Sequence, residues 1–168
     1  MTEARVYADA TALIGLARIG QLGLLSLLPT PICVTTVVWQ EVAADATKRG
    51  VQALLEAREA GLLQVVQEGD ADDLPDLDRG EASVLSAAAK SQATVLIDER
   101  KARTLVATHP ALRGSISHAF GIVGLILLAK RSGRIPAVQP LLDALVNEGF
   151  WWEKMERRWT QIHADKRR

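Results

Sequence analysis

Residues 78–100 read DRGEASVLSAAAKSQATVLIDER, and this stretch decides the fold. Apolar residues first recur at helical spacing over 84–89, and the short run TVLI at 94–97 follows. A brief, continuous apolar run is typical of a strand buried on both faces in a parallel sheet, and this one ends at Asp98. A helix that leads into a buried strand is one repeating unit of an α/β domain with a central parallel sheet.

The same alternation of short apolar runs and longer helical patterns continues on both sides of this stretch. It predicts strands over 5–8, 32–34, 62–66 and 94–97, and a last short strand near 115–117. It predicts helices over 11–28, with a break at Gly20 and Gly23, and over 51–60, 100–107, 119–130 and 136–149. Two further helices are predicted to begin at Thr35 or Thr36 and at an Asp78 N-cap.

Length and composition set the class of protein. The 168 residues are 48% hydrophobic and 24% charged, which is ordinary globular usage and excludes a disordered chain. Cys33 is the single cysteine, so an intramolecular disulfide is excluded, and the first residues, MTEARVYAD, lack the pattern of a secretory signal. Both observations fit a reducing cytoplasm. No apolar stretch is long enough and uncharged enough to span a membrane, so we expect no membrane association.

We predict one domain over 1–150 and a basic, tryptophan-rich helix or tail over 151–168. That tail, WWEKMERRWTQIHADKRR, has two interpretations. Its tryptophans pack against the domain or a second subunit, or its aromatic and basic residues stack on unpaired bases.

Charge is unevenly distributed although the net charge is zero. Residues 68–81 carry seven acidic side chains against one arginine, whereas residues 82–168 carry fourteen lysines and arginines against seven acids. The pattern fits a solvated acidic loop followed by ordinary basic helix faces, and it fits equally a chain with separate acidic and basic binding surfaces.

Four acidic residues lie at or near the ends of predicted elements. Asp9 and Asp98 end strands, Glu81 lies in the first turn of a helix, and Glu41 lies one to two turns into another. Ligands of open parallel sheets bind beyond the carboxyl ends of the strands. Clustered carboxylates repel one another unless a cation neutralises them, and hard oxygen ligands select Mg²⁺ or Mn²⁺. Each acid taken singly also has a structural explanation as a helix cap or a solvated residue.

Other common constellations are absent. The sequence has no G-x-G-x-x-G dinucleotide fingerprint, no phosphate-binding loop of the G-x-x-x-x-G-K-[ST] type and no G-x-S-x-G nucleophile elbow. The histidines do not have zinc-ligand spacing with Cys33.

Five segments in this order resemble the PIN-domain superfamily. They are YADATALIGLARIGQLGLL at 7–25, VVWQEV at 37–42, DRGEASVLSAAA at 78–89, VLIDERKAR at 95–103 and GIVGLILLAKRSGRIPAVQPLLDAL at 121–145. The resemblance is greatest to a prokaryotic branch of predicted nucleic-acid-binding proteins related to toxins of VapBC-type toxin–antitoxin systems.

The resemblance implies a three-layer α/β/α sandwich with a central parallel sheet and a metal-dependent ribonuclease site. Matched by position, the catalytic and metal-binding acids are Asp9, Glu41, Glu81 and Asp98, with Glu99 as a further metal ligand. The implied cofactor is Mg²⁺ or Mn²⁺. The implied partners are an RNA substrate, a cognate antitoxin and a second copy of the chain in a homodimer.

One position departs from the family pattern. Family members commonly carry Thr or Ser after the first glycine of a G-T-x-G segment, where this chain has Ile122. The four matched acids favour a ribonuclease, whereas Ile122 favours the alternative, a non-catalytic PIN-fold module that binds RNA or protein. The predicted nucleic-acid contacts are basic residues that follow Asp98 or lie near 130, namely Arg100, Lys101, Arg103, Lys130 and Arg131. The same residues fit equally a solvated helix face.

Overall fold

The structure is a computed structural model that describes residues 3–150. Five strands form one all-parallel sheet in the order β3-β2-β1-β4-β5. The strands are β1 (Val6–Ala8), β2 (Ile32–Thr35), β3 (Leu63–Val66), β4 (Thr94–Leu96) and β5 (His118–Phe120).

Helices connect the strands and cover both faces of the sheet, so the predicted three-layer α/β/α sandwich is confirmed. Helix α4 packs on β1, β2 and β4 with α5 beside it, whereas α1 contacts α3 and α6 in the other layer. The helices are α1 (Ala10–Arg18), α2 (Thr36–Ala43), α3 (Val51–Glu59), α4 (Arg79–Ser91), α5 (Arg100–Thr108), α6 (Ile122–Arg131) and α7 (Gln139–Asn147), with 3₁₀ turns at Leu22–Leu27 and Ala71–Asp73.

The strand order reverses between β1 and β4. From β1 the chain builds outward through β2 to β3, and it then crosses back to place β4 on the other side of β1. Crevices that bind ligands in open α/β sheets form at such a switch point, beyond the carboxyl ends of the two strands. The residues at this point are Asp9, directly after β1, and Asp98, two residues after β4.

Local signals in the sequence set most of the helix starts. The Thr35 hydroxyl accepts a hydrogen bond from the amide of Val38 (3.3 Å), and Asp78 Oδ1 accepts one from the amide of Glu81 (2.8 Å). These side chains satisfy amides that have no partner within the helix. The predicted caps of α2 and α4 are therefore confirmed.

Two predicted elements near the C-terminal end were wrong. The last strand is at His118–Phe120 and not near 115–117, and the helix predicted over 119–130 begins at Ile122. Residues 118–120 pair in register with β4, with Ala119 opposite Val95, and a pairing across the sheet outweighs the local helical pattern. The break predicted between Gly20 and Gly23 is present, although the segment after it is a 3₁₀ turn.

Apolar side chains from both helical layers pack on the sheet. The largest fully buried residues include Tyr7 of β1, Leu85 of α4 and Ile122 of α6. No helix in the part of the chain that the structure describes is long and apolar enough to cross a membrane. The tail predicted over 151–168 lies outside the described residues.

Candidate acidic site at the carboxyl ends of the strands

Asp9 is the N-cap of α1, and within residues 3–150 it is the one buried carboxylic acid. Its side chain is 2% exposed. Its Oδ1 accepts a hydrogen bond from the amide of Ala12 (2.7 Å), and its Oδ2 accepts one from the amide of Asp98 (3.1 Å). Burial and the negative charge of Asp98 outweigh these two bonds and raise the pKa of Asp9 to about 8.

Asp98 lies beside Asp9, just beyond the end of the neighbouring strand β4. The amide of Ile97 donates to the carbonyl of Phe120 (2.8 Å), and this bond extends the contact between β4 and β5 up to the residue before Asp98. The Asp98 carboxylate then accepts a hydrogen bond at Oδ1 from the amide of Ile122 (2.9 Å). Asp98 is thus tied to Asp9 through its own amide and to the start of α6 through its side chain.

Glu81 lies in the first turn of α4, which also approaches the carboxyl ends of the strands. Its side chain is half-buried. Partial burial, with the nearby charges of Asp78 and Glu99, raises the pKa of Glu81 to about 7. Glu81 also acts electrostatically on Asp9, so the first turn of α4 belongs to the same acidic cluster as the two strand ends.

Glu41 reaches the cluster from α2. Its carboxylate packs on the backbone of Gly80, where a Cβ atom would lie only 2.9 Å from Glu41 Oε2. Glu41 is exposed as a residue, but partial desolvation of its carboxylate and the charge of Asp78 raise its pKa, and Glu41 in turn acts on Glu81. Because Gly80 has no side chain, the Glu41 carboxylate of α2 can approach the start of α4, where Glu81 lies.

Glu99 has a capping role as well as a place in the cluster. It is the N-cap of α5, and its Oε1 accepts a hydrogen bond from the amide of Lys101 (3.3 Å). Its charge raises the pKa of Glu81.

The four predicted acids and Glu99 thus form one electrostatically connected cluster. Within residues 3–150, no group of three or more His, Cys, Asp or Glu side chains is already gathered around a single point to hold a metal ion. The donors are nevertheless all carboxylate oxygens that repel one another, and they include a buried acid with a raised pKa. This donor set fits a hard divalent cation, which would remove the repulsion.

The acidic segment over 68–81 does not form one surface. Glu68 bonds to Arg5 and to the Tyr7 hydroxyl at the amino end of β1, on the opposite edge of the sheet from Asp9. Asp73 accepts a hydrogen bond from the Ser86 hydroxyl (2.7 Å) on α4. Within residues 68–81, only the C-terminal end, which forms the first turn of α4, faces the acidic site.

The basic residues of α5 divide into two kinds. Arg100 is exposed at the start of the helix, whereas Lys101 and Arg103 donate to backbone carbonyls. Lys101 Nζ bonds to the carbonyl of Asp76 (2.8 Å), and Arg103 Nη1 bonds to the carbonyl of Ile97 (3.2 Å). All three lie next to the acidic site, because α5 begins directly after Glu99.

Lys130 and Arg131 lie away from the acidic site. They are in the last turn of α6, roughly 12 Å along the helix axis from the amide of Ile122. Lys130 Nζ donates to the carbonyl of Pro136 (2.6 Å), and Arg131 is exposed. The structure therefore does not bring these two residues together with those of α5.

The sequence pattern indicated Asp78 only as a helix cap and indicated no role for Gly80 or Gly121. Asp78 raises the pKa of both Glu41 and Glu81, so it is a member of the acidic cluster. Its position three residues before Glu81, at a helix start that meets the strand ends, was the available signal. The glycines gave no such signal, because their role depends on side chains from other elements that pack on them.

A family model described as a PIN domain matches residues 5–161. The match covers most of the chain, and the fold is the α/β/α sandwich expected for this class. The chain belongs to the PIN-domain family, whose members are generally nucleases. No curated protein and no solved structure is significantly similar to the chain.

Proposed function

We propose that this PIN-domain protein is a metal-dependent ribonuclease that hydrolyses RNA phosphodiesters. The observation that carries the proposal is Asp9, a carboxylic acid 2% exposed, placed against Asp98 where the strand order reverses. A cap alone does not require a buried carboxylic acid, because Thr35 caps α2 at the end of the adjacent strand with a hydroxyl.

The residues that hold the cation in this proposal are Asp9, Glu41, Glu81 and Asp98, with Glu99 as a further ligand. When Mg²⁺ or Mn²⁺ is bound, the chemistry that it supplies is an activated water and neutralisation of charge at the phosphodiester. The chain itself orients the ligands. The amides of Ala12 and Asp98 fix the two oxygens of Asp9, and the amide of Ile122 fixes Oδ1 of Asp98.

Substrate binding in this proposal uses the basic start of α5. Arg100 is exposed beside the acidic cluster and is positioned to meet an RNA phosphate, and Lys101 lies next to it. Lys130 and Arg131 remain predicted nucleic-acid contacts at the far end of α6. A toxin role, a cognate antitoxin and a homodimer remain what the family resemblance implies, and a cytoplasmic location remains a prediction from the sequence.

The test is cleavage of a pool of single-stranded and structured RNA with Mn²⁺ or Mg²⁺. We expect wild type to cleave and both Asp9→Asn and Asp98→Asn to be inactive while keeping the wild-type circular dichroism spectrum. Asp143→Asn is the matched control, since Asp143 is exposed on α7 and, within residues 3–150, accepts a hydrogen bond from Gln139 of the same helix. An inactive wild type, or activity that survives both site substitutions, would refute the proposal.

A second function is a non-catalytic module that binds RNA or protein. It is favoured by the absence, within residues 3–150, of three ligand side chains already gathered at one point. A Mn²⁺ titration separates the two functions. A nuclease site gives saturable binding and a rise in melting temperature that Asp9→Asn removes, whereas a module whose acids serve only as caps gives neither.

A further inference from the structure

Gly121 lies between two charged side chains at the start of α6. A Cβ atom built on Gly121 would lie 2.6 Å from Arg103 Nη1 and would also overlap Oδ1 of Asp98. Gly121 has extended backbone angles (φ −108°, ψ −171°) that any residue adopts, so the glycine is required for space and not for conformation. Its missing side chain lets the Arg103 guanidinium and the Asp98 carboxylate approach the same backbone atom.

Arg103 also holds the backbone on the other side of Asp98. Its Nη1 donates to the carbonyl of Ile97, the residue directly before Asp98 (3.2 Å). Its side chain is half-buried, unlike that of Arg100 on the same helix. The guanidinium therefore touches the end of β4 and the junction between β5 and α6, the two segments that fix Asp98.

We infer that Arg103 is a positioning residue that holds the Asp98 carboxylate against the amide of Ile122, with Gly121 as the spacer that makes the contact possible. The inference rests on the proposed function, since Asp98 is a cation ligand there. It assigns Arg103 to the support of the acidic site and leaves phosphate contact to Arg100. A planar guanidinium suits this role because it presents several donors in fixed directions to a carbonyl and a carboxylate at once.

Loss of Arg103 is expected to leave the Asp98 carboxylate less well oriented for binding a cation. Metal ligands bind well when hydrogen bonds from surrounding residues orient them, and loss of such a partner typically weakens metal affinity about 10–100-fold. Without Arg103, the carbonyl of Ile97 loses its hydrogen bond from α5, while the Asp98 carboxylate keeps the bond from the Ile122 amide.

The first experiment compares Arg103→Ala, Arg103→Lys and Arg100→Ala in the full chain. We expect Arg103→Ala to weaken Mn²⁺ binding about 10–100-fold and to lower kcat, with the KM for RNA little changed. Arg103→Lys keeps a positive charge but lacks the planar guanidinium group, so we expect it to recover only part of the Mn²⁺ affinity. Arg100→Ala has the opposite signature, a raised KM with Mn²⁺ affinity retained. A raised KM for Arg103→Ala with unchanged Mn²⁺ affinity would overturn the inference in favour of a phosphate contact.

A second measurement needs neither metal nor RNA. Amide hydrogen exchange of Ile122 in the metal-free protein reports the bond to Asp98 Oδ1, and we expect at least about tenfold faster exchange in Arg103→Ala. Exchange at wild-type rates would overturn the inference even if the nuclease proposal holds. If wild type neither binds Mn²⁺ nor cleaves RNA, the proposed function fails, and this exchange rate still decides the role of Arg103.

Gly121→Ala tests the same contact from the glycine side if Arg103→Ala does not fold. It adds one methyl group between Arg103 and Asp98, and we expect faster Ile122 exchange and weaker Mn²⁺ binding. The matched control is Gly23→Ala, because a Cβ atom there meets nothing within 4 Å. Equal behaviour of the two glycine variants would contradict the inference.

Discussion

The amide of Ile122 donates a hydrogen bond to the Asp98 carboxylate (2.9 Å), while the Ile122 side chain is fully buried on the other side of the backbone. Its Cδ1 atom packs against Gly15 of α1, where an added Cβ would lie 2.6 Å away. The residue that departs from the family pattern therefore contacts the site through its backbone. A backbone donor does not depend on the identity of the side chain, so Ile122 by itself is weak evidence for a non-catalytic module.

Ile122→Thr is expected to affect folding more than the site. It removes buried apolar surface and places a hydroxyl in the core, at a cost of about 2–3 kcal/mol in the free energy of unfolding. Ile122→Val, which removes one methylene, is expected to cost about 0.5–1.5 kcal/mol. Urea denaturation gives both values. Mn²⁺ affinity should stay within about threefold of wild type in both variants; a larger change in Ile122→Val would show that the side chain acts on the site.

The metal-free protein is expected to lose stability as pH rises from about 4 to 8. The pKa values of Asp9 and Glu81 are raised to about 8 and about 7, from 3.8 and 4.5, so the folded state holds more protons than the unfolded state in this window. Raising the pH removes that stabilisation. We expect a melting temperature at least about 3 °C lower at pH 8 than at pH 5.5, roughly 1 kcal/mol for a chain of this size.

Asp9→Asn tests the origin of this pH dependence. It keeps an oxygen that can accept from Ala12 but removes the titrating group, so most of the decrease in melting temperature between pH 5.5 and pH 8 should disappear. Glu59→Gln on the exposed end of α3 is the control and should keep the wild-type decrease. A pH profile that is identical in wild type and Asp9→Asn would contradict the raised pKa.

Cation binding is expected to release protons near pH 7. Ligands must be ionised, whereas at that pH Asp9 is mostly protonated and Glu81 is partly so, given pKa values of about 8 and about 7. Calorimetric titration with Mn²⁺ in two buffers of different ionisation enthalpy should show about one proton released per cation. Release should fall as the pH approaches 9. Binding without proton release at pH 7 would contradict either the raised pKa of Asp9 or its place among the ligands.

Gly80→Ala is expected to weaken Mn²⁺ binding without destabilising the fold. Alanine is the better helix former by up to about 1 kcal/mol, but its Cβ would lie 2.9 Å from Glu41 Oε2 and would push that carboxylate away. We expect a stable variant with several-fold weaker Mn²⁺ binding. The control is the same change in a Glu41→Gln background, where it should cause no further loss, since the two residues act through one contact. Additive losses would exclude that contact as the cause.

Local chemistry made a large part of this fold predictable. Helix starts such as those capped by Thr35 and Asp78 depend on a side chain and amides two or three residues away, and the apolar runs of the strands are continuous in sequence. The placement of Asp9 and Asp98 at strand ends followed from the same local pattern, because parallel strands end at a common edge.

Contacts between distant segments decided the rest. The start of α6 is set by strand pairing of residues 118–120 with β4 and by the bond from Ile122 to Asp98, and neither is encoded in the local helical pattern. The burial of Asp9 and the half-buried position of the Arg103 side chain likewise depend on which elements pack together. The sequence by itself determined the alternation of elements and the positions of the acids along the chain. Only the tertiary structure decided which charges are buried or supporting, because desolvation and like-charge repulsion depend on distances through space.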